Sequence, residues 1–288
     1  MVELHDAAPL MEMSDISIQF GLVPALKQVN LSIGRHEVLA IVGDNGAGKS
    51  TLVKIMSGLI HPASGTLFWK GKEVSIPTIR AAAQLGIAAV FQSQDFCDNL
   101  DVSANLFLGK ELTNKHLRRN DEAMQKKSRE ILHSLSAAIR VGQPMSSLSL
   151  GQKQTVSIAR TLLNNPDLIL LDEPTSSLSV MQTAEILSYI KRMKSEGRSV
   201  VMICHDLPDV FAVADRIAVM RQGRLVSALN TAHTSYETII ALLSGMDPGE
   251  VMNEQEHRDA LTNITARTQA LKGTRTLPLN EPREQESV

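Results

Sequence analysis

The stretch Gly43–Thr51, G-D-N-G-A-G-K-S-T, constrains this chain more than any other part of it. Behind it runs the apolar segment Val38-Leu39-Ala40-Ile41-Val42, and ahead of it Leu52-Val53-Lys54-Ile55-Met56-Ser57-Gly58 is apolar at helical spacing with a glycine stop. The order is strand, glycine-rich loop, helix. The spacing G-x-x-x-x-G-K-S fits a phosphate cradle, in which successive backbone N–H groups and a helix N-terminus converge on phosphate oxygens. In such a loop Lys49 reaches the β- and γ-phosphates and the Ser50 hydroxyl ligates Mg²⁺. Gly43, Asp44, Asn45, Gly46, Ala47, Gly48, Lys49, Ser50 and Thr51 are therefore the candidate nucleotide-binding residues. The rival reading, a glycine-rich turn joining any strand to any helix, is weakened by the flanking elements.

Composition sets outer limits. The 288 residues suffice for one large or two small domains, and 43 % apolar with 21 % charged residues is ordinary globular usage. A net charge of −2 gives no whole-chain argument for nucleic acid or an anionic membrane as partner. Cys97 and Cys204 stand far apart in or beside apolar segments, which argues against a disulfide framework and for a reducing compartment. The N-terminus lacks the basic region and apolar core of a signal peptide. No apolar run approaches the roughly 18 residues that span a bilayer, so any membrane role would run through a partner.

Along the chain, residues 1–11 read as a loose lead-in and residues 12–245 as one α/β domain. Ile16, Ile18 and Phe20, then Val29, Leu31 and Ile33, alternate with polar residues, giving two half-buried strands around a Gly21–Pro24 turn. Thr66–Trp69 before Lys70-Gly71-Lys72 is a hairpin signal, and these pieces predict a small antiparallel β layer. Gly86–Phe91 reads as a buried strand ending at Gln92. From about 93 to 163 strand signal fades, and Met124, Ile131, Leu135 and Ile139 recur near helical spacing. That predicts a helical subdomain inserted into a core with a parallel sheet. Its Lys126, Lys127, Arg129 and Glu130 read as a solvated face. Leu168–Leu171 before Asp172-Glu173 is a strand buried on both faces. Ile186, Leu187, Ile190 and Met193 supply a helix face, Ser199–Cys204 the next strand, and Arg216–Ala228 a hairpin around Gln222-Gly223. Residues 246–288 are polar and nearly aperiodic, and read as a flexible tail or docking appendage.

The loop's companions choose among nucleotide-binding classes. Leu148-Ser149-Leu150-Gly151-Gln152 opens a helix-like segment, Asp172-Glu173-Pro174-Thr175 ends the apolar strand, and His205-Asp206 closes a further one. In this order and spacing the set resembles the ATP-binding cassette family over roughly residues 12–245. The fold implied is a P-loop NTPase core with a parallel sheet, an antiparallel β subdomain and an inserted helical subdomain. The resemblance implies an aromatic adenine platform at Phe20, the P-loop, Gln92 sensing Mg²⁺ and the attacking water, a signature loop at Ser149, Gly151 and Gln152, a Walker B strand, and a switch histidine at His205.

The residue types suit phosphoryl transfer from ATP to water, which needs charge neutralisation and an oriented nucleophile. Asp172, with Ser50 and Gln92, would hold Mg²⁺. Strand alternation would point Glu173 elsewhere, freeing it to polarise the attacking water, with His205 on the γ-phosphate. By the resemblance, the signature serves the nucleotide held by another subunit, so one chain with one P-loop implies a head-to-tail dimer of two copies. Two positions depart from the family's pattern. Leu150 stands where glycine is usual and would strain the loop if the backbone there were left-handed. Ser179 stands where many members carry aspartate.

Gly43–Thr51 and Asn99–Gly109 look like the corresponding stretches of single-cassette ATPases of bacterial ribose, xylose and fructose importers. That resemblance implies a membrane permease, a periplasmic solute-binding protein at one remove, no nucleic-acid partner, and a peripheral place on the cytoplasmic face of the inner membrane. The alternatives are a soluble cassette ATPase without transport, or a weakly hydrolysing regulator.

Overall fold

A computed structural model describes residues 8–91, 96–135 and 137–246. Gln92, the lead-in up to residue 7 and the tail from residue 247 lie outside the described residues.

Strand β1 (Met11–Phe20) turns at Gly21 into β2 (Val23–Ile33) and also pairs with β4 (Ser64–Trp69), which pairs with β5 (Lys72–Val74). All three pairings are antiparallel, in the order β2-β1-β4-β5. The P-loop strand β3 (Val38–Gly43) belongs to a second sheet with β6 (Ile87–Val90), β7 (Leu168–Asp172), β8 (Ser199–Ile203), β9 (Arg216–Arg221) and β10 (Arg224–Asn230). Its order is β10-β9-β3-β8-β7-β6, parallel throughout except for the antiparallel edge strand β10. The expected two-layer β organisation is what the chain adopts.

The parallel strands bury both faces because their side chains alternate between two cores. Val38, Ala40 and Val42 of β3 enter one apolar cluster, together with Ile169 and Leu171 of β7 and Val200 and Met202 of β8. Leu39 and Ile41 enter the other, with Leu168, Leu170, Val201 and Ile203. The second cluster also takes in the antiparallel sheet and Leu52, Val53, Ile55 and Met56 of α1 (Lys49–Met56). The P-loop helix is thus packed between the two sheets.

The first cluster faces the remaining helices except α2 (Ile79–Leu85), whose Ala82 enters the second. Short α3 (Val102–Leu106), α4 (Asp121–Ser134) and α5 (Leu150–Leu162) form the inserted helical subdomain. The Met124 and Leu135 of the expected helical stripe are buried there, but Ile139 is not on the helix, since α4 ends at Ser134. That end is fixed from outside: Arg192 of α6 (Val180–Ser195) donates to the Ser134 carbonyl, a cation at a helix C-terminus. Two further helices, α2 (Ile79–Leu85) and α8 (Tyr236–Ser244), lie outside the elements expected from the sequence; Thr78 and Ser235 cap their N-termini. Between β8 and β9 runs α7 (Leu207–Val213). Among the described residues no helix is long and apolar enough to cross a membrane.

Candidate nucleotide site

In an open parallel sheet the groups at the carboxyl ends of the strands are brought together. Here β3, β8 and β7 are neighbours, and at their carboxyl ends stand the P-loop, His205 and the Asp172-Glu173 pair. The P-loop, Glu173 and His205 border a cleft of about 870 Å³ whose wall also includes Phe20; Asp172 does not line it and is tied to it by the hydrogen bond from Ser50. That size suits a nucleoside triphosphate, because small-molecule sites run to several hundred Å³.

The loop's shape rests on two glycines, Gly43 and Gly48, that leave no room for a side chain. A Cβ on Gly43 would lie 2.3 Å from the Met220 carbonyl oxygen of β9. Gly48, left-handed at φ 100°, passes so close to β2 that a Cβ would lie 2.6 Å from the Ala25 carbonyl oxygen. Gly46 has open space around it and only its φ of 82° asks for glycine. We therefore expect Gly43→Ala to lower stability by about 2 kcal/mol, roughly a 5 °C drop in melting temperature for a domain of this size. Gly46→Ala should lose only about half of that. Thermal melting of the two variants side by side checks the difference.

Lys49 is buried, and its ammonium donates to the carbonyls of Gly43 at 2.6 Å and Asp44 at 2.9 Å. Burial pulls its pKa down, against the fields of Glu173, Asp44 and Asp172, which raise it. Ser50 donates to Asp172 Oδ1 at 3.3 Å. Asp172 is buried, and that burial raises its pKa, while the Ser50 hydrogen bond works the other way and the neighbouring Glu173 charge adds to the rise. A serine hydroxyl against a desolvated carboxylate is an oxygen pair suited to a hard divalent cation that takes its other ligands from phosphate and water. Consistent with so few protein donors, no cluster of three or more His, Cys, Asp or Glu able to hold a metal occurs among the described residues.

Glu173 leaves the strand differently from the expected alternation. Asp172 is the last residue of β7, and Glu173 takes a left-handed backbone at φ 52° with its N–H donating to the Ile203 carbonyl of β8 at 3.1 Å. This conformation is unfavourable by about 1–2 kcal/mol for a residue with a Cβ. Glu173 Oε1 comes to 3.8 Å from His205 Nδ1, and the histidine side chain, which lines the cleft, is 65 % exposed. Phe20 ends β1 at the cleft's edge and is 54 % exposed. Val23, Pro24, Ala25, Leu207 and Leu243 also line the cleft, and sequence reasoning missed them because they contribute apolar wall without a motif.

Ser149, Gly151 and Gln152 do not line this cleft. Ser149 is the N-cap of α5, closed by a capping box with Gln152: the Ser149 Oγ accepts from Gln152 N–H at 3.3 Å, and Gln152 Oε1 accepts from Ser149 N–H at 3.0 Å. Leu150 begins α5 with helical geometry, so the left-handed strain considered for it does not arise. It is 56 % exposed. Ser179 caps α6 through a second capping box, with Gln182. The model for the family described as ABC transporter matches residues 26–176. The chain belongs to the ABC transporter family.

Among related proteins, a ribose import ATP-binding protein of Caldanaerobacter subterraneus subsp. tengcongensis is 34 % identical over 264 residues, 90 % of this chain and 53 % of that one. A xylose/arabinose import ATP-binding protein of Sulfolobus acidocaldarius is 36 % identical over 243 residues, 84 % of this chain and 96 % of that one. This ABC-family chain therefore spans about half the length of the ribose relative and nearly all of the xylose/arabinose one. Among solved structures, a nucleotide-free ATP-binding cassette from an ABC transporter superposes with TM-score 0.73 at 25 % identity, covering 85 % of this chain and 100 % of that one. A dimeric cassette in a post-hydrolysis state bound to ADP and Pi gives 0.66 at 26 % identity, over 77 % and 98 %. The α/β cassette fold expected from the motifs is the one the chain shares with them.

Proposed function

We propose that this chain is the ATP-hydrolysing subunit of an importer of a small solute, with a monosaccharide as the favoured cargo. The observation that carries the proposal is the meeting of the P-loop, Glu173 and His205 around one cleft, with Asp172 hydrogen-bonded to Ser50, at the adjoining ends of β3, β7 and β8. The sugar reading is supported by the import proteins named above.

Each residue has a task in that reading. The P-loop N–H groups, Lys49 and the α1 N-terminus hold the β- and γ-phosphates, and Phe20 gives the adenine a face to stack on. Ser50 and Asp172, with Gln92 as the third expected ligand, would hold a magnesium ion, which neutralises phosphate charge when bound. Glu173 accepts the proton of the attacking water, and His205 donates to the γ-phosphate. Ser149, Gly151 and Gln152, outside their own chain's cleft, serve the nucleotide of a second copy arranged head to tail. ATP held between two copies favours the closed pair because it binds that state better. The dimeric neighbour with ADP and Pi supports the arrangement. The remaining partners are integral membrane permease subunits and, indirectly, a periplasmic solute-binding protein. Their place would be the inner membrane, with this chain peripheral on its cytoplasmic face. Leu150 in an ordinary helical turn speaks against a strained signature loop, and Ser179, whatever the aspartate of other members does, here caps α6.

The test is phosphate release from ATP by the purified chain, and co-purification with a co-expressed sugar permease. Neither occurring would overturn the proposal. Chelating divalent cations with EDTA should abolish release while leaving most nucleotide bound, since the P-loop cradle is backbone and lysine; binding by fluorescent nucleotide measures the second part.

A further inference from the structure

The structure assigns Gln182 a positioning role: it presets the Ser149 hydroxyl as a hydrogen-bond donor toward the nucleotide of a second copy. The inference rests on the ATPase reading above and names a residue that carries no motif. Gln182 lies in the first turn of α6, and its amide bridges two helix N-termini of the same chain. Its Oε1 accepts from Ser179 N–H at 3.1 Å, and its Nε2 donates to Ser149 Oγ at 3.4 Å. The orientation of the amide is fixed chemically, because a backbone N–H must face the oxygen and so leaves the NH₂ for the serine.

The consequence lies in the count of lone pairs. A serine hydroxyl has two acceptor sites and one proton. Ser149 Oγ already accepts from Gln152 N–H at 3.3 Å and from Gln182 Nε2 at 3.4 Å. Both acceptor sites are taken, so the one remaining function of this hydroxyl is to donate. A hydroxyl committed to donation selects an acceptor-only ligand such as a phosphate oxygen, and a preset donor spares the reorganisation otherwise needed as the ligand arrives. The neighbouring glycine fits the same account. A Cβ on Gly151 would lie 2.6 Å from Cδ and 2.7 Å from Nε2 of Gln182, so any side chain there would make the flexible glutamine swing away from Ser149.

The experiment is a double-mutant cycle on ATP hydrolysis by the full chain with Mg²⁺, using Gln182→Met and Gln182→Ala in both the unaltered and the Ser149→Ala backgrounds. With Ser149 present, loss of one preset hydrogen bond should raise the KM for ATP on the order of tenfold with kcat changed far less. With Ser149→Ala, the Gln182 substitutions should add nothing. Additive effects in the two backgrounds, or an unchanged KM with Ser149 present, overturn the positioning role and leave α6 capping as the only task of Gln182. Absence of hydrolysis by the unaltered chain would overturn the ATPase reading instead, so the two failures are distinguishable.

Discussion

Glu173→Gln is expected to reduce ATP turnover by at least about 10²-fold, the usual contribution of a positioned general base, while ATP still binds. The amide keeps the shape of the carboxylate, so the left-handed turn at Glu173 and its N–H bond to Ile203 survive. Only the capacity to take a proton from water is lost. Because the nucleotide then stays intact, a dimer held together by ATP should persist instead of cycling apart. Phosphate release measures the first effect, and size-exclusion chromatography with ATP and Mg²⁺ the second. Turnover within tenfold of the unaltered chain would remove Glu173 from the catalytic role.

Lys49→Met attacks the step before. In the structure the ammonium holds the carbonyls of Gly43 and Asp44 and sits in the field of Asp44, Asp172 and Glu173. Methionine keeps the buried stem and removes the only motif side chain that brings positive charge to the β- and γ-phosphates. Charge-assisted hydrogen bonds contribute about 1.5–3 kcal/mol each, so ATP affinity should fall on the order of 10²-fold, read by titration with a fluorescent nucleotide. Because the carboxylates then face triphosphate without the lysine, ADP should lose less than ATP. Equal affinity for ATP in the two proteins would show that the backbone cradle alone holds the phosphates.

Much of this was legible in the sequence, for reasons that differ between elements. The strands β3, β7 and β8 announce themselves as apolar runs because both faces are buried, and the P-loop because a Cβ on Gly43 or Gly48 collides with other backbone and Gly46 is left-handed. Helix α2 was illegible: of Ile79–Leu85 only Ala82 is buried, so no amphipathic stripe reaches the sequence. The end of α4 was misjudged because it is set by Arg192, far away in the chain. The left-handed backbone of Glu173 and the contact of Gln182 with Ser149 and Gly151 are likewise products of neighbours distant in sequence, which local periodicity does not register. Gln92 lies outside the described residues, and its role stays part of the proposal.

Strand β3 sends alternate side chains into two separate interiors, and Gly48 touches the chain of the smaller sheet. A wall common to two rooms makes their collapse a single event. The antiparallel layer therefore has no independent melting of its own, and occupation of the P-loop should slow amide exchange in β1 and β4, strands that border the nucleotide only at Phe20 or not at all.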